Sequence, residues 1–315
     1  MPTSRKRPGA ASKTRGSAGP KLPSRENMEA FVARLGRDEA EAATEEALDL
    51  MFDAWDAPSL EAGIKLAKRA LGMSPLCADA HVFLARALAT TPGQEIELLQ
   101  GAVSAAEIAL GPQQMKTFEG EFWGRFETRP YMRARHYLGL TLAAARRNAE
   151  AAETYATMLT LNPNDNQGAR YLLLEQFLIL QRHAEATALI ARYRDDDTAH
   201  WLYSKALLLF RTKGDTAAAR KALAAALAQN AHVPAYLLGA KRMPRRSPDY
   251  IGWGDTSEAV SYVEECGQLW RGNPPALSWL GARAGIDDGA ARAIELRRRA
   301  GKGAAPMKGD EIENG

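Results

Sequence analysis

The sequence has few of the residues that metal sites and nucleophilic enzymes gather into clusters. It contains two cysteines in 315 residues, Cys77 and Cys266. Neither has a Cys or His neighbour at metal-ligand spacing, so neither a zinc site nor a disulfide framework is predicted. The sequence also shows no glycine-rich phosphate loop and no strand-to-helix turn that carries a nucleophilic Ser or Cys. We therefore expect that the protein is not an enzyme and that it binds no metal and no cofactor.

Long hydrophobic runs are missing as well. The longest, residues 172–180, is interrupted by Glu175 and Gln176 and is much shorter than the roughly 20 residues that cross a bilayer as a helix. No apolar segment follows the basic residues near the start, so a secretory signal is not predicted. We expect a cytoplasmic protein with no membrane partner.

Acidic residues are absent from positions 1–25, which are rich in Ser, Thr, Gly and Pro and hold seven basic side chains. These are Arg5, Lys6, Arg7, Lys13, Arg15, Lys21 and Arg25. Because this composition cannot offset the entropy of ordering the chain, residues 1–25 are predicted to be disordered. Taking those seven from the 41 Lys and Arg of the chain leaves 34, against 38 Asp and Glu. No basic nucleic-acid surface is therefore expected on the folded body.

The basic tail leaves one alternative function open, that of an adaptor which holds nucleic acid through residues 1–25. Phosphate contacts are sensitive to salt, so deleting those residues tests the alternative through the retention of nucleic acid at low salt.

Residues 132–165 carry the clearest internal pattern. Leu and Gly at positions 7 and 8, Ala at 20, Tyr at 24 and Pro at 32 recur at the spacing of a 34-residue unit. The residues are Leu138, Gly139, Ala151, Tyr155 and Pro163. This spacing resembles the tetratricopeptide repeat, in which each unit is a pair of amphipathic helices. One pair cannot bury its own apolar face, so neighbouring units are expected to stack.

The same frame extends along most of the chain. Further units are predicted near 44–77, 78–111, 166–197 and 198–231, with an aromatic-rich insert at 112–131. The predicted fold class is all-α, a tetratricopeptide-repeat helical solenoid of antiparallel helix pairs over residues 26–284.

Past residue 231 the repeat fades, and helices are predicted to continue through 232–284. Asp255 and Glu258 have the spacing of a capping box, which predicts the start of a helix. Residues 285–315 lack a sustained apolar stripe and are predicted to fray.

Three stretches carry a narrower resemblance: residues 122–134 (FWGRFETRPYMRA), residues 162–174 (NPNDNQGARYLLL), and residues 232–241 (HVPAYLLGAK) with the segment from Gly254 to Ala259. Together they resemble bacterial tetratricopeptide proteins related to the suppressor-of-tumorigenicity-7 (ST7) family, over roughly residues 60–280. The resemblance implies a helical repeat fold and a role in protein interaction. It implies no catalytic residue and no ligand.

The repeat frame also predicts a binding surface. Positions 2, 5, 9 and 12 share one face of the first helix of a unit, and the resemblance implies that this face lines a concave groove. The candidate residues are Arg133, His136, Asn166, Gln167, Arg170 and Tyr171. Guanidinium groups bind carboxylates bidentately, so the expected partner is a protein or an extended, acidic peptide. Alternatively, the arginines pair with acidic groups such as Glu127 or Glu175 and are structural.

Two further clusters each allow a functional and a structural interpretation. Phe122, Trp123 and Phe126 in the insert form either a ligand ledge or part of the core, and packing is favoured because the insert has to bury its rings. His200 follows the carboxylates at 195–197, but one His and a loop do not make a metal site. We expect those carboxylates to precede a helix that starts near Thr198.

Overall fold

A computed structural model describes residues 22–286 of the chain. This part of the chain forms fourteen helices and no strand, which confirms the predicted all-α, tetratricopeptide-type fold. The helices are α1 (Arg25–Leu35), α2 (Arg37–Trp55), α3 (Leu60–Met73), α4 (Ala78–Leu88), α5 (Pro92–Thr117), α6 (Arg129–Ala144), α7 (Asn148–Leu161), α8 (Ala169–Ile179), α9 (His183–Arg192), α10 (Ala199–Lys213), α11 (Ala217–Gln229), α12 (Val233–Leu237), α13 (Thr256–Arg271) and α14 (Pro274–Ala284). Between residues 22 and 286, no helix is long and apolar enough to cross a membrane.

The two predicted tails fall mostly outside the described residues. Residues 1–21 and 287–315 are not described, so the predictions of a disordered start and a frayed end stay predictions there. The first helix begins at Arg25, inside the predicted tail. Its start is capped by Ser24, whose hydroxyl accepts a hydrogen bond from the backbone of Asn27.

The chain divides into two units, residues 1–176 and 177–315. In the first unit, three helix pairs follow one another: α2 with α3, α4 with α5, and α6 with α7. Short loops join the helices of a pair, which makes them antiparallel neighbours. The first helices also pack in sequence, α2 on α4 and α4 on α6. This stacking of first helices forms the surface on which the candidate site lies.

Small residues allow the helix pairs to approach closely. A Cβ atom on Gly139 of α6 would lie 2.5 Å from Cε1 of Tyr155 on α7, and the Tyr155 side chain is fully buried. Likewise, a Cβ atom on Gly63 of α3 would lie 2.6 Å from Cζ of Phe83 on α4. Glycine at these positions therefore makes room for a ring from the neighbouring helix, as the repeat pattern requires.

The insert begins inside α5 rather than after it. Gly111 has φ 68° and ψ 167°, and Pro112 follows it, so the helix is sharply kinked at this point. A loop over residues 118–128 then leads into α6. Phe122 of that loop is fully buried, and its backbone N–H donates to the carbonyl of Leu161 at 3.1 Å. The insert is thus tied to the end of α7.

In the second unit, α10 packs against α9, α11, α13 and α14. The predicted helix start at Asp255 is observed, and its carboxylate accepts from the backbone N–H groups of Ser257 and Glu258. Glu258 is used differently from a capping box. Its buried carboxylate accepts from the backbone N–H of Gly254, the backbone N–H of Ala199 and two amide side chains. It therefore joins the starts of α10 and α13 to the end of α11.

Candidate functional site

The candidate site lies on the first-helix face, which we define as the surface formed by one side of α2, α4 and α6. Its members are Phe52, Trp55, Asp79, Arg86, Arg133, His136, Tyr137 and Leu140. Two kinds of contact connect these helices: cation–π contacts between an arginine and an aromatic ring, and an ion pair between an arginine and a carboxylate. Phe52 and Trp55 meet edge to face at 5.7 Å on α2, and the guanidinium carbon of Arg133 lies 5.6 Å from the centre of the Trp55 ring.

Arg133 is held in place by a buried carboxylate. Its Nε donates to Oδ1 of Asp79 at 2.8 Å, and its Nη2 donates to Oδ2 of the same group. The Asp79 side chain is 1% exposed and that of Arg133 is 28% exposed. Since both carboxylate oxygens are used, this bidentate pair fixes α6 against α4 and fixes the orientation of the guanidinium.

His136 lies one turn further along α6. Its Nδ1 atom is buried and has no hydrogen-bond partner among the described residues. Burial lowers the pKa of His136, and the positive charge of Arg86 lowers it further. The imidazole is therefore neutral near pH 7, and it contributes an uncharged polar group to the face.

Arg86 on α4 is the free cation of this surface. It is exposed, and its guanidinium carbon lies 4.2 Å from the centre of the Tyr137 ring. Within residues 22–286 it has no carboxylate partner. Phe52 and Leu140 are also unusually open for large apolar side chains, at 57% and 38% exposure. The face thus combines an unpaired cation with exposed apolar groups.

The sequence-based selection of site residues misses Arg86, although the sequence holds a signal for it. Arg86 stands at position 9 of the unit that begins at residue 78, which is one of the positions expected to line the groove. The six candidate residues belong to the repeats that begin at residues 132 and 166. In the unit at 78 the same positions also give Asp79, the partner of Arg133.

The remaining candidates lie at the turn before α8 and on its first residues. The buried carboxylate of Asp165 accepts from the backbone N–H groups of Ala169 and Arg170 at 2.6 and 3.0 Å, which caps the helix. Nη1 of Arg170 donates to the same carboxylate at 2.9 Å, and Nη2 donates to the hydroxyl of Tyr171 at 2.7 Å. Burial raises the pKa of Asp165, although its hydrogen bonds oppose that shift. Arg170 is therefore part of the local structure of this turn.

Asn166 and Gln167 occupy that same turn. Asn166 is exposed, whereas the side-chain carbonyl of Gln167 is buried and has no hydrogen-bond partner among the described residues. The arginine partners recorded here include Asp79 for Arg133 and Asp165 for Arg170. The pairing itself is of the kind that the alternative describes.

The aromatic insert separates into buried and exposed rings. Phe122 is fully buried and meets Tyr131 edge to face at 5.7 Å, so it is part of the core. Phe126 is 76% exposed, and the guanidinium carbon of Arg129 lies 4.3 Å from its centre. Trp123 is half-buried. The expectation that the rings of the insert pack in the core therefore holds for Phe122 and does not hold for Phe126.

His200 contacts two residues of α13. Its Nδ1 lies 3.2 Å from Oε2 of Glu265, and its Nε2 lies 3.3 Å from Sγ of Cys266. Asp196 instead accepts from the backbone and hydroxyl of Thr198, and Thr198 caps α10. Over the described part of the chain, no group of three His, Cys, Asp or Glu side chains is placed to hold a metal ion.

Comparison with known proteins identifies the family. A family model described as ST7 protein matches residues 37–281. The chain belongs to the ST7 family. The suppressor of tumorigenicity 7 protein-like protein of Rattus norvegicus is 30% identical over 259 residues, which cover 73% of this chain and 45% of that protein. The ST7 homolog of Drosophila melanogaster is 27% identical over 267 residues, which cover 76% of this chain and 48% of that protein.

This ST7-family chain spans about half the length of the curated relatives it matches. Among solved structures it is similar to YrrB, described as a tetratricopeptide protein with an unusual peptide-binding site. The TM-score is 0.40 at 16% identity, with 65% of this chain and 93% of YrrB covered.

Proposed function

We propose that this chain is a protein-binding module whose first-helix face holds an extended, acidic segment of a partner protein. The observation that carries the proposal is Arg86, an exposed guanidinium for which no carboxylate partner is recorded among the described residues. It stacks on Tyr137 and is thereby oriented without being neutralised. A cation in this state can form a charge-assisted, bidentate pair with an incoming carboxylate.

The apolar members of the face add a second element of recognition. Phe52 and Leu140 expose large apolar side chains on α2 and α6, the helices that flank α4. A partner that covers them removes apolar surface from water, which stabilises the complex. We therefore expect the bound segment to combine an acidic side chain with one or more apolar side chains.

Arg133 and His136 have supporting roles in this proposal. Asp79 already satisfies the Arg133 guanidinium, so Arg133 orders the face more than it attracts a carboxylate. The neutral His136 supplies a polar group near Arg86. We also predict that this surface continues along the repeat that begins at residue 166. Its members there are Asn166, Gln167, Arg170 and Tyr171.

Selection from a random peptide library displayed on phage tests the proposal, because the library samples acidic, basic and apolar segments alike. Selection on the full chain should enrich peptides that contain Asp or Glu beside apolar residues. Selection on Arg86→Glu should lose this enrichment, while selection on Arg69→Glu should keep it, since Arg69 is an exposed arginine on α3, outside the face. Enrichment of basic peptides, or the same enrichment on all three proteins, would contradict the proposal.

A further inference from the structure

A second exposed surface lies in the other unit, on the loop between α12 and α13. We call residues 241–253 the basic-aromatic loop. Three large side chains in it are turned to solvent: Tyr250 is 79% exposed, Ile251 52% and Trp253 65%. The loop also carries four exposed basic residues and one exposed acidic residue, Asp249. The basic residues are Lys241, Arg242, Arg245 and Arg246.

The loop is anchored along its length, so the exposure of its apolar side chains is built into the fold. At its start, the backbone N–H of Lys241 donates to the carbonyl of Ala235 at 2.8 Å. In its middle, the Ser247 hydroxyl donates to Glu264 of α13 at 3.0 Å. At its end, the backbone N–H of Gly252 donates to the Ser257 hydroxyl at 2.8 Å. These bonds hold residues 250–253 outside the helical core.

The positive charges of the loop have no ion-pair partner within residues 22–286. The structure records no ion pair for Arg242, Arg245 or Arg246 among the described residues, and Lys241 lies over the ring of Tyr236, with Nζ 5.0 Å from its centre. Two prolines, Pro244 and Pro248, restrict the backbone between the charges and the aromatic residues. The loop therefore presents a net positive charge beside exposed apolar groups.

We propose that the basic-aromatic loop docks on the surface of an anionic phospholipid bilayer. Lys and Arg side chains near such a surface are attracted by its negative potential. The amphipathic rings of Tyr250 and Trp253 suit the headgroup region, and the aliphatic Ile251 suits the hydrocarbon boundary below it. The proposed contact lies at the bilayer surface, and it replaces the sequence-based expectation of no membrane partner.

Aromatic rings and cations also suit the binding of single-stranded nucleic acid. The exposed Ile251 favours the lipid surface over nucleic acid. Bases stack on aromatic faces and arginine planes, and an aliphatic side chain offers no such face. Ile251 stands between the two rings in sequence and is itself half exposed. A lipid surface uses all three of the exposed side chains Tyr250, Ile251 and Trp253, whereas a nucleic acid uses the two rings.

Flotation of the full-length protein with vesicles tests the proposal. The protein should float with vesicles of phosphatidylcholine mixed with phosphatidylserine, should not float with phosphatidylcholine alone, and should be released by salt. Each basic residue near an anionic surface contributes about a fivefold change in partitioning. Arg245→Ala with Arg246→Ala should thus weaken binding roughly 25-fold, and Ile251→Ser with Trp253→Ser should also weaken it.

Matched controls come from the first unit. Lys68→Ala with Arg69→Ala removes two exposed charges of α3. Leu60→Ser removes an apolar side chain at the start of α3 that is 49% exposed. Neither should change flotation. Trp253 supplies a second readout. The difference between the tryptophan emission of the parent and that of Trp253→Phe is the emission of Trp253. This emission should shift to shorter wavelength when mixed vesicles are added to the parent protein.

Three results would overturn the proposal. Loop variants that float like the parent would assign the binding to another part of the chain, such as the basic residues 1–25. Equal binding to both kinds of vesicle would remove the role of charge. Binding of a single-stranded oligonucleotide that depends on the loop, with no binding to vesicles, would replace the lipid with nucleic acid. Circular dichroism of each variant checks that the helices are intact.

Discussion

Removing the guanidinium of Arg133 gives the sharpest stability prediction. In the variant Arg133→Ala, the carboxylate of Asp79, which is 1% exposed in the parent, loses its cation. Breaking a buried ion pair by removing one partner costs about 3–5 kcal/mol, because the remaining charge is left uncompensated. The Arg133 side chain is 28% exposed, so water reaches part of the site. We therefore expect a loss at the lower end, about 3 kcal/mol.

Thermal unfolding followed by circular dichroism measures this loss. A change of 1 kcal/mol shifts Tm by about 2–4 °C in a folding unit of about 150–250 residues, the size of the unit at residues 1–176 that holds the pair, so Arg133→Ala should melt about 6–12 °C lower. The second variant, Asp79→Asn combined with Arg133→Ala, removes the buried charge as well and should recover part of the loss. The reasoning is refuted if Arg133→Ala melts within about 2 °C of the parent, or if the double variant is less stable than the single one.

Three further predictions concern stability. Gly139→Ala places a Cβ atom 2.5 Å from the Tyr155 ring and should cost about 1–3 kcal/mol in urea unfolding; Gly72→Ala, where no atom lies within 4 Å of the new Cβ, should cost nothing, and equal losses would contradict the packing. Glu258→Gln removes a carboxylate that accepts from four donors and should cost about 2 kcal/mol or more; an unchanged urea midpoint would contradict its role. Burial lowers the pKa of His81 from 6.5 to about 4, so the folded state binds fewer protons than the unfolded state in that window. The free energy of unfolding should therefore fall by about 3 kcal/mol as pH drops from about 6.5 to about 4. The same dependence of the unfolding free energy on pH in His81→Gln would contradict this.

The helix pairs could be predicted because their signals are local and repeat. Leu138, Gly139 and Tyr155 fall at fixed positions in one unit, and the structure shows the reason, since the ring of Tyr155 packs where Gly139 has no side chain. The start of α13 is predictable from Asp255 for the same reason: an N-cap acts within three residues of itself.

The ion pairs of the site are not predicted, because their partners depend on how units stack. Asp79 is 54 residues before Arg133, and an insert separates their units. The repeat frame nevertheless contains the information, since both residues stand at position 2 of their units. Stacking of first helices brings equal positions together, so pairs of opposite charge at equal positions are predictable once the frame is applied to every unit.

Glu258 shows where local rules end. Its spacing from Asp255 is that of a reciprocal capping box, but its carboxylate accepts from Ala199, which is 59 residues earlier, and from the end of α11. The second unit past residue 231 has no repeat frame from which such contacts could be inferred. Tertiary packing therefore decides the partner of this side chain.

The central claim is that the first-helix face binds an acidic segment through Arg86. The most direct measurement is the affinity of a library-selected acidic peptide, by fluorescence anisotropy, for the parent, Arg86→Glu and Arg69→Glu. The account predicts that Arg86→Glu weakens binding at least about tenfold, which corresponds to about 1.4 kcal/mol. Arg69→Glu should bind like the parent, and all three proteins should melt within about 4 °C of one another, since the contact of Arg86 with Tyr137 is exposed. Equal affinities of Arg86→Glu and Arg69→Glu for the peptide would contradict the claim.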